Sequence, residues 1–200
     1  MNTSQRTKYG TGREALLTAV VHVVAQKGLR GLTFRAVAEV AGVNNSLVAH
    51  HFGTRDALIE ATLEWSSTRS IDASQLREFA TSADAFSAAL MDLLFTDPDL
   101  QVFQYEMILE SRRKPHLAQP ARQLYDRYLA VLIDALRESR FPDLAESQGR
   151  YVFAALDGLV LQYLSGVDRA TIEAAIRSLW NDLSRAPQPP VSTRIELSFP

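Results

Sequence analysis

Apolar residues recur along this chain at helical spacing and almost nowhere at alternate positions. Leu16, Ala19, Val20, Val23 and Val24 repeat at i, i+3, i+4, i+7 and i+8, the stripe of a helix that buries one face. Thr11-Gly12-Arg13-Glu14 has the form of a capping box, where the Thr hydroxyl and the Glu carboxylate satisfy backbone N–H groups in exchange, so the pattern predicts a helix starting at Thr11. Gly28 ends it, because glycine accepts the left-handed backbone that closes many helices. Thr33 caps a second helix carrying Ala36, Val37 and Val40, which Ala41-Gly42-Val43 interrupts. Asn44 caps a short third helix reaching about His51, and Thr54 a fourth over 55–68, with Asp56 against the positive end of its dipole.

Further helices are predicted over 83–95 and from Pro98 to the cationic triplet Arg112-Arg113-Lys114. Proline at the first helical position loses no needed hydrogen bond, and the triplet suits a helix C-terminus. Pro115 and Pro120 punctuate the approach to a long helix with the stripe Leu124, Tyr125, Tyr128, Leu129, Leu132, Ile133 and Leu136, ending near Arg140. Another runs from 143 to near Gly166, and a last one, capped by Asp168, covers 172–183. With no sustained period-2 alternation, the expected fold is all-α with about nine to ten helices. It divides into a flexible arm at 1–10, a three-helix head with a helix-turn-helix at 11–56, a C-terminal helical domain at 57–185, and a proline-rich mobile tail at 186–200.

A content of 46% hydrophobic and 22% charged residues describes a folded chain. The absence of cysteine excludes disulfides, thiolate zinc, iron–sulfur clusters and a cysteine nucleophile, and 4 histidines leave little for a nitrogen-ligand metal site. There is no Gly-rich phosphate loop, Gly-x-Ser-x-Gly elbow or His-Glu-x-x-His, and His50 and His51 point about 100° apart on a helix. Hence no catalytic residue, no metal and no cofactor are expected. The N-terminus lacks a secretory apolar segment. The longest apolar stretch, 151–164, contains Asp157 and falls short of the about 20 residues of a membrane span, so a cytoplasmic protein without a membrane partner is expected. The net charge of -2 hides an asymmetry: 1–62 carries 7 Lys and Arg against 4 Asp and Glu, whereas 63–200 carries 14 against 19. The basic end is where a nucleic-acid-binding head would sit.

Residues 33–40, the turn 41–43 and residues 44–51 have the spacing of a helix-turn-helix, whose second helix fits the major groove of DNA; an ordinary helical hairpin has the same spacing. Asn44, Asn45, Ser46 and His50 offer small hydrogen-bonding groups outward, with Leu47 and Val48 as apolar anchor. Asn can pair bidentately with adenine. Beyond geometry, the run 32–43, Leu-Thr-Phe-Arg-Ala-Val-Ala-Glu-Val-Ala-Gly-Val, followed at 51–58 by His-Phe-Gly-Thr-Arg-Asp-Ala-Leu, resembles the DNA-binding head of TetR-family transcriptional regulators. The resemblance is close over about residues 10–65; downstream it rests on helix number and length and on Asp157-Gly158-Leu159. It implies that Thr33 and Arg35 meet the backbone or a flanking base, that Asn44, Asn45, Ser46 and Leu47 face the major groove, and that His50, His51 and Arg55 hold phosphates. The chain departs from the family where Val48-Ala49 replaces its usual Leu-Tyr, removing a phosphate-reaching Tyr, and where Ser46 stands for a frequent Gly or small residue and Arg55 for a frequent Lys. Arg6 and Lys8 are candidates for a minor-groove arm or a solvated terminus.

Residues 151–164 are apolar on nearly every face, which predicts cover on both sides, one of them a second chain. Tyr151, Ala154, Ala155, Gly158 and Leu161, with Ile176 and Leu179 of the last helix, are the expected homodimer contacts; the monomer alternative makes this the central helix of one chain. Phe86, Phe95, Phe103, Tyr105, Met107, Tyr125, Tyr128 and Phe153 concentrate aromatic and sulfur-bearing side chains in the middle helices, mainly as core. Phe103, Met107, Glu110, Tyr125, Tyr128, Phe153 and Asp157 are candidates to bind a small, largely apolar effector, as the resemblance also implies. Asp157 is the oddest of them, since a lone buried carboxylate is costly; a bond across the dimer seam is its plainer explanation. The chain therefore reads as a homodimeric regulator, most simply a repressor, that a small ligand releases from double-stranded DNA at a palindromic operator. A helical ligand-binding protein or a DNA-architectural protein without inducible regulation is the alternative.

Overall fold

The structure, a computed structural model, describes residues 9–73 and 82–185. Arg6 and Lys8 of the expected arm, the side chain of Phe95 and the expected tail at 186–200 lie outside the described residues. Nine α-helices and no strand are present among the described residues. They are α1 (Tyr9–Lys27), α2 (Phe34–Ala41), α3 (Asn45–Phe52), α4 (Arg55–Ala73), α5 (Ala83–Thr96), α6 (Pro98–Ser111), α7 (Ala118–Ser139), α8 (Glu146–Leu164) and α9 (Arg169–Arg185). Short 3₁₀ turns at Leu29–Gly31 and Pro115–Leu117 join α1 to α2 and α6 to α7. No described helix is long and apolar enough to cross a membrane.

The caps act as the sequence requires. The Thr33 hydroxyl accepts the Ala36 N–H at 3.1 Å, Thr54 that of Ala57 at 3.1 Å, and Asp97 that of Leu100 at 3.1 Å beside Pro98. Each such cap contributes about 1 kcal/mol by occupying an otherwise unpaired donor. Helix α1 differs from expectation, already being helical at Tyr9. Its apolar face is also broader than the stripe, because Leu17 and Val21 are buried with Leu16, Val20 and Val24. Helix α1 is clamped between the head and α6, so two faces need cover.

Buried residues form two clusters. One joins α1–α4 to Leu100, Phe103 and Met107 of α6 and to Leu117, Ala121 and Leu124. The head therefore shares its core with α6 and α7, and the boundary expected at 56/57 does not coincide with a break in the core. The second cluster gathers Phe86 and Met91 of α5, Leu132 and Leu136 of α7, Val152 and Leu156 of α8, and Ile176 and Trp180 of α9. Trp180 lies 5.2 Å from the ring of Phe86 and 5.4 Å from that of Phe141, centroid to centroid. Helices α7 and α8 approach so closely at Gly149 that a Cβ there would lie 2.3 Å from Ile133 Cγ1.

Candidate functional site

The head presents α3 to solvent. Gly42, at φ 65°, takes the left-handed conformation that turns the chain between α2 and α3, and the Val43 N–H donates to the Ala38 carbonyl at 2.9 Å to close the turn. Val48 and Phe52 point into the core. Asn44, Asn45, Ser46, Leu47 and His50 are exposed on α3 and Arg35 on α2, while His51 is half-buried, its ring 6.1 Å from that of Phe52. Asn44 is engaged within the helix start, where its Oδ1 accepts the Ser46 N–H at 2.9 Å and the Ser46 hydroxyl at 3.0 Å. Thr33 likewise caps α2.

Arg55, expected at a phosphate, also makes bonds within the head. Its Nε donates to the Leu32 carbonyl at 2.9 Å and its Nη2 to the Leu29 carbonyl. The Leu29 carbonyl also accepts the Leu32 N–H at 3.2 Å within the 3₁₀ turn, so the guanidinium fork adds a second donor there and supplies one to the Leu32 carbonyl. Arg55 thus ties α4 to the α1–α2 connection. Beside it, Lys114 Nζ lies 2.7 Å from Asp56 Oδ1, and this bond holds the Asp56 carboxyl below its usual range.

A cavity of about 80 Å³ lies between α5, α6, α7 and α8. Tyr125, Tyr128, Phe153 and Asp157 line it as expected of a ligand site, but Phe103, Met107 and Glu110 do not. The pitch of α6 turns Phe103 and Met107 onto the opposite face, where both are fully buried against the head. Glu110 pairs instead with Arg113 at 3.0 Å. From α6 the cavity receives Gln101, Gln104, Tyr105 and Ile108, none of which the sequence pattern assigned to the site. The signal that points to them is two glutamines three residues apart in an apolar helix, next to an aromatic.

Asp157 finds hydrogen-bond donors within the chain. Its Oδ1 accepts the Tyr105 hydroxyl at 2.7 Å and its Oδ2 the Tyr125 hydroxyl at 3.0 Å. Burial, and then the bonded Asp157 carboxylate, push the Tyr105 phenol far above its ordinary range; burial followed by the Asp157 charge does the same to Tyr125. Both hydroxyls therefore remain donors. A second chain of bonds runs from the Tyr128 hydroxyl to Gln104 Oε1 at 2.9 Å and from Gln104 Nε2 to the Ser66 carbonyl of α4 at 3.4 Å. The Phe153 ring stands perpendicular to Tyr125, with centroids 5.3 Å apart.

Among the described residues α8 is covered on one side only. Val152, Leu156 and Val160 are buried, but Tyr151 is 71% and Leu161 47% exposed, Ala154 is exposed, and a Cβ on Gly158 would meet nothing within 4 Å. Of the expected α9 contacts, Ile176 is fully buried in the second core and Leu179 is half-buried against it. Ile176 faces inward because the α9 stripe that contains Trp180 packs on α5 and α8.

Two family models match: the helix-turn-helix head of bacterial regulatory proteins of the tetR family over residues 16–62, and a Tetracyclin repressor-like C-terminal domain over 81–182. The HTH-type transcriptional regulator BetI of Paraburkholderia phytofirmans is 30% identical over 172 residues, 82% of this chain and 88% of that protein. A transcriptional regulator from Rhodococcus sp. Rha1 superposes with a TM-score of 0.71 at 23% identity, covering 85% of this chain and 94% of that one. The multidrug binding protein EbrR, solved in complex with imidazole, gives 0.61 at 26% identity over 91% and 97%. Exposed α3 on its tight turn, a helical body behind it, and both halves matched in order place this chain in the TetR family of helix-turn-helix, DNA-binding transcriptional regulators.

Proposed function

We propose that this regulator binds a palindromic operator as a homodimer, and that a small, largely apolar effector in the α5–α8 cavity releases it, as for a repressor. The supporting observation is the double role of α6. One face supplies Gln104, Tyr105 and Ile108 to the cavity, and the other supplies Leu100, Phe103 and Met107 to the core of the head. A ligand that displaces the cavity face moves the seat of α1, and the Gln104 bond to Ser66 passes the same displacement to α4. Two dimer geometries with different head spacing then compete, and the effector favours the one that does not fit the operator. The ligand-bound EbrR neighbour supports a small-molecule effector.

In this reading residues 11–56 form the DNA-binding part and 57–185 the effector and dimerisation part. Asn45, Leu47 and the Asn44–Ser46 pair face the bases, and Thr33, Arg35, His50 and His51 face the backbone or flanking positions. The exposed strip of Tyr151, Ala154 and Leu161, continued by Ala155 and Gly158, meets its copy on a second chain, with Leu179 at its edge. The test is a footprint of the purified protein on DNA flanking its own gene across a salt series, with the dimer mass measured in parallel. A protected palindrome whose affinity falls steeply with salt supports the reading. Absence of specific protection there and in a genome-wide selection overturns it.

A further inference from the structure

The charge balance of the cavity narrows the effector. Among the described residues that line it Asp157 is the one carboxylate, and no Lys, Arg or His accompanies it. The two tyrosine hydroxyls occupy one acceptor position on each of its oxygens, about half of what a carboxylate offers. They orient the group without neutralising it. Facing it are the rings of Tyr125, Tyr128 and Phe153, the last two nearly parallel at 21° with centroids 6.4 Å apart. Aromatic faces attract a cation through the ring quadrupole, and a carboxylate in a largely apolar cavity attracts it more than in water. A neutral apolar ligand would strip water from Asp157 and give nothing in return, and an anion would be repelled.

We infer that the effector is a compact organic cation, its charged group seated on Asp157 between Tyr105 and Tyr125 and its apolar body against Tyr128 and Phe153. This deepens the effector reading above and rests on it for the identity of the pocket. The volume of about 80 Å³ sets a small ligand, or one that widens the cavity on entry.

The test uses three probes of nearly equal size and different charge, namely benzylamine, benzyl alcohol and benzoate, titrated calorimetrically into the full chain at neutral pH. Benzylamine should bind at least about tenfold tighter than benzyl alcohol, the worth of one charge-assisted hydrogen bond, and benzoate weakest. Asp157→Asn should abolish the preference for benzylamine over benzyl alcohol, and Tyr128→Phe, which keeps both ring and carboxylate, should preserve it. Failure of benzylamine to bind, or equal affinity for the cation and the neutral alcohol, overturns the inference, as does a preference that survives in Asp157→Asn. Operator affinity measured with each probe separates the two readings: Asp157-dependent binding of benzylamine that leaves operator affinity unchanged upholds the cation site and counts against the release mechanism.

Discussion

The two faces of α6 are built from different chemistry although they alternate along one helix. Leu100, Phe103 and Met107 are apolar, fully or almost fully buried, and locked in the core that seats α1. Gln101, Gln104, Tyr105 and Ile108 border a void, and Gln104 and Tyr105 spend their polar groups on bonds to α4, α7 and α8. A close-packed face transmits displacement because it cannot absorb it, whereas a face beside a cavity has room to be displaced. The same helix therefore joins a close-packed contact with the head to a wall that borders a cavity.

Paired substitutions give the largest test of this difference. Phe103→Ala should lose about 3–5 kcal/mol in urea unfolding, while Ile108→Ala, already beside empty space, should lose about 2 kcal/mol or less. Equal losses would break the contrast. Arg55→Ala should lower the stability of the free protein by about 1–3 kcal/mol, because it strands the Leu32 carbonyl and removes the second donor to that of Leu29. A salt slope of operator binding reduced by about one, with stability unchanged, would return Arg55 to the phosphates. Tyr105→Phe should change stability by about 1 kcal/mol but shift ligand affinity more, since it removes a donor from Asp157 and leaves the head core intact. Melting curves alongside ligand titration would sharpen that distinction.

The smallest expected effect is the pH response of the tie between α4 and the segment after α6. Lys114 holds the folded Asp56 carboxyl below its unfolded value, so the stabilisation is present above the unfolded range and lost as pH falls through the folded one. Asp56 is 54% exposed, and solvent screening keeps the contribution under about 1 kcal/mol. Lys114→Ala should flatten stability against pH in the acidic range without altering the neutral-pH fold, as circular dichroism melts at stepped pH would record.

Local chemistry made most of the helices legible. Thr33, Asn44, Thr54 and Pro98 mark starts that depend on a side chain and the next few backbone N–H groups, and Gly28 and Gly42 mark ends that depend on a positive φ. The recognition element was legible for the same reason, since its turn and its exposed polar residues lie close together in the chain. The cavity lining was half legible. Tyr125, Tyr128, Phe153 and Asp157 announced themselves by type, but periodicity says only that Phe103 and Tyr105 face different ways, not which way the cavity lies. Ile176 illustrates the same limit on the expected dimer surface: an apolar stripe shows that a face is covered without saying by what.

By itself, then, the sequence determined the all-α class, most helix boundaries and the head, because capping, turn conformation and amphipathic spacing act over a few residues. Tertiary packing alone decided that Arg55 serves a 3₁₀ turn 23 to 26 residues away, that two tyrosines 32 and 52 residues from Asp157 supply its donors, and that the head shares its core with α6. Those outcomes depend on which unpaired carbonyls, carboxylates and apolar faces are brought together when the helices assemble, and no local pattern encodes that meeting.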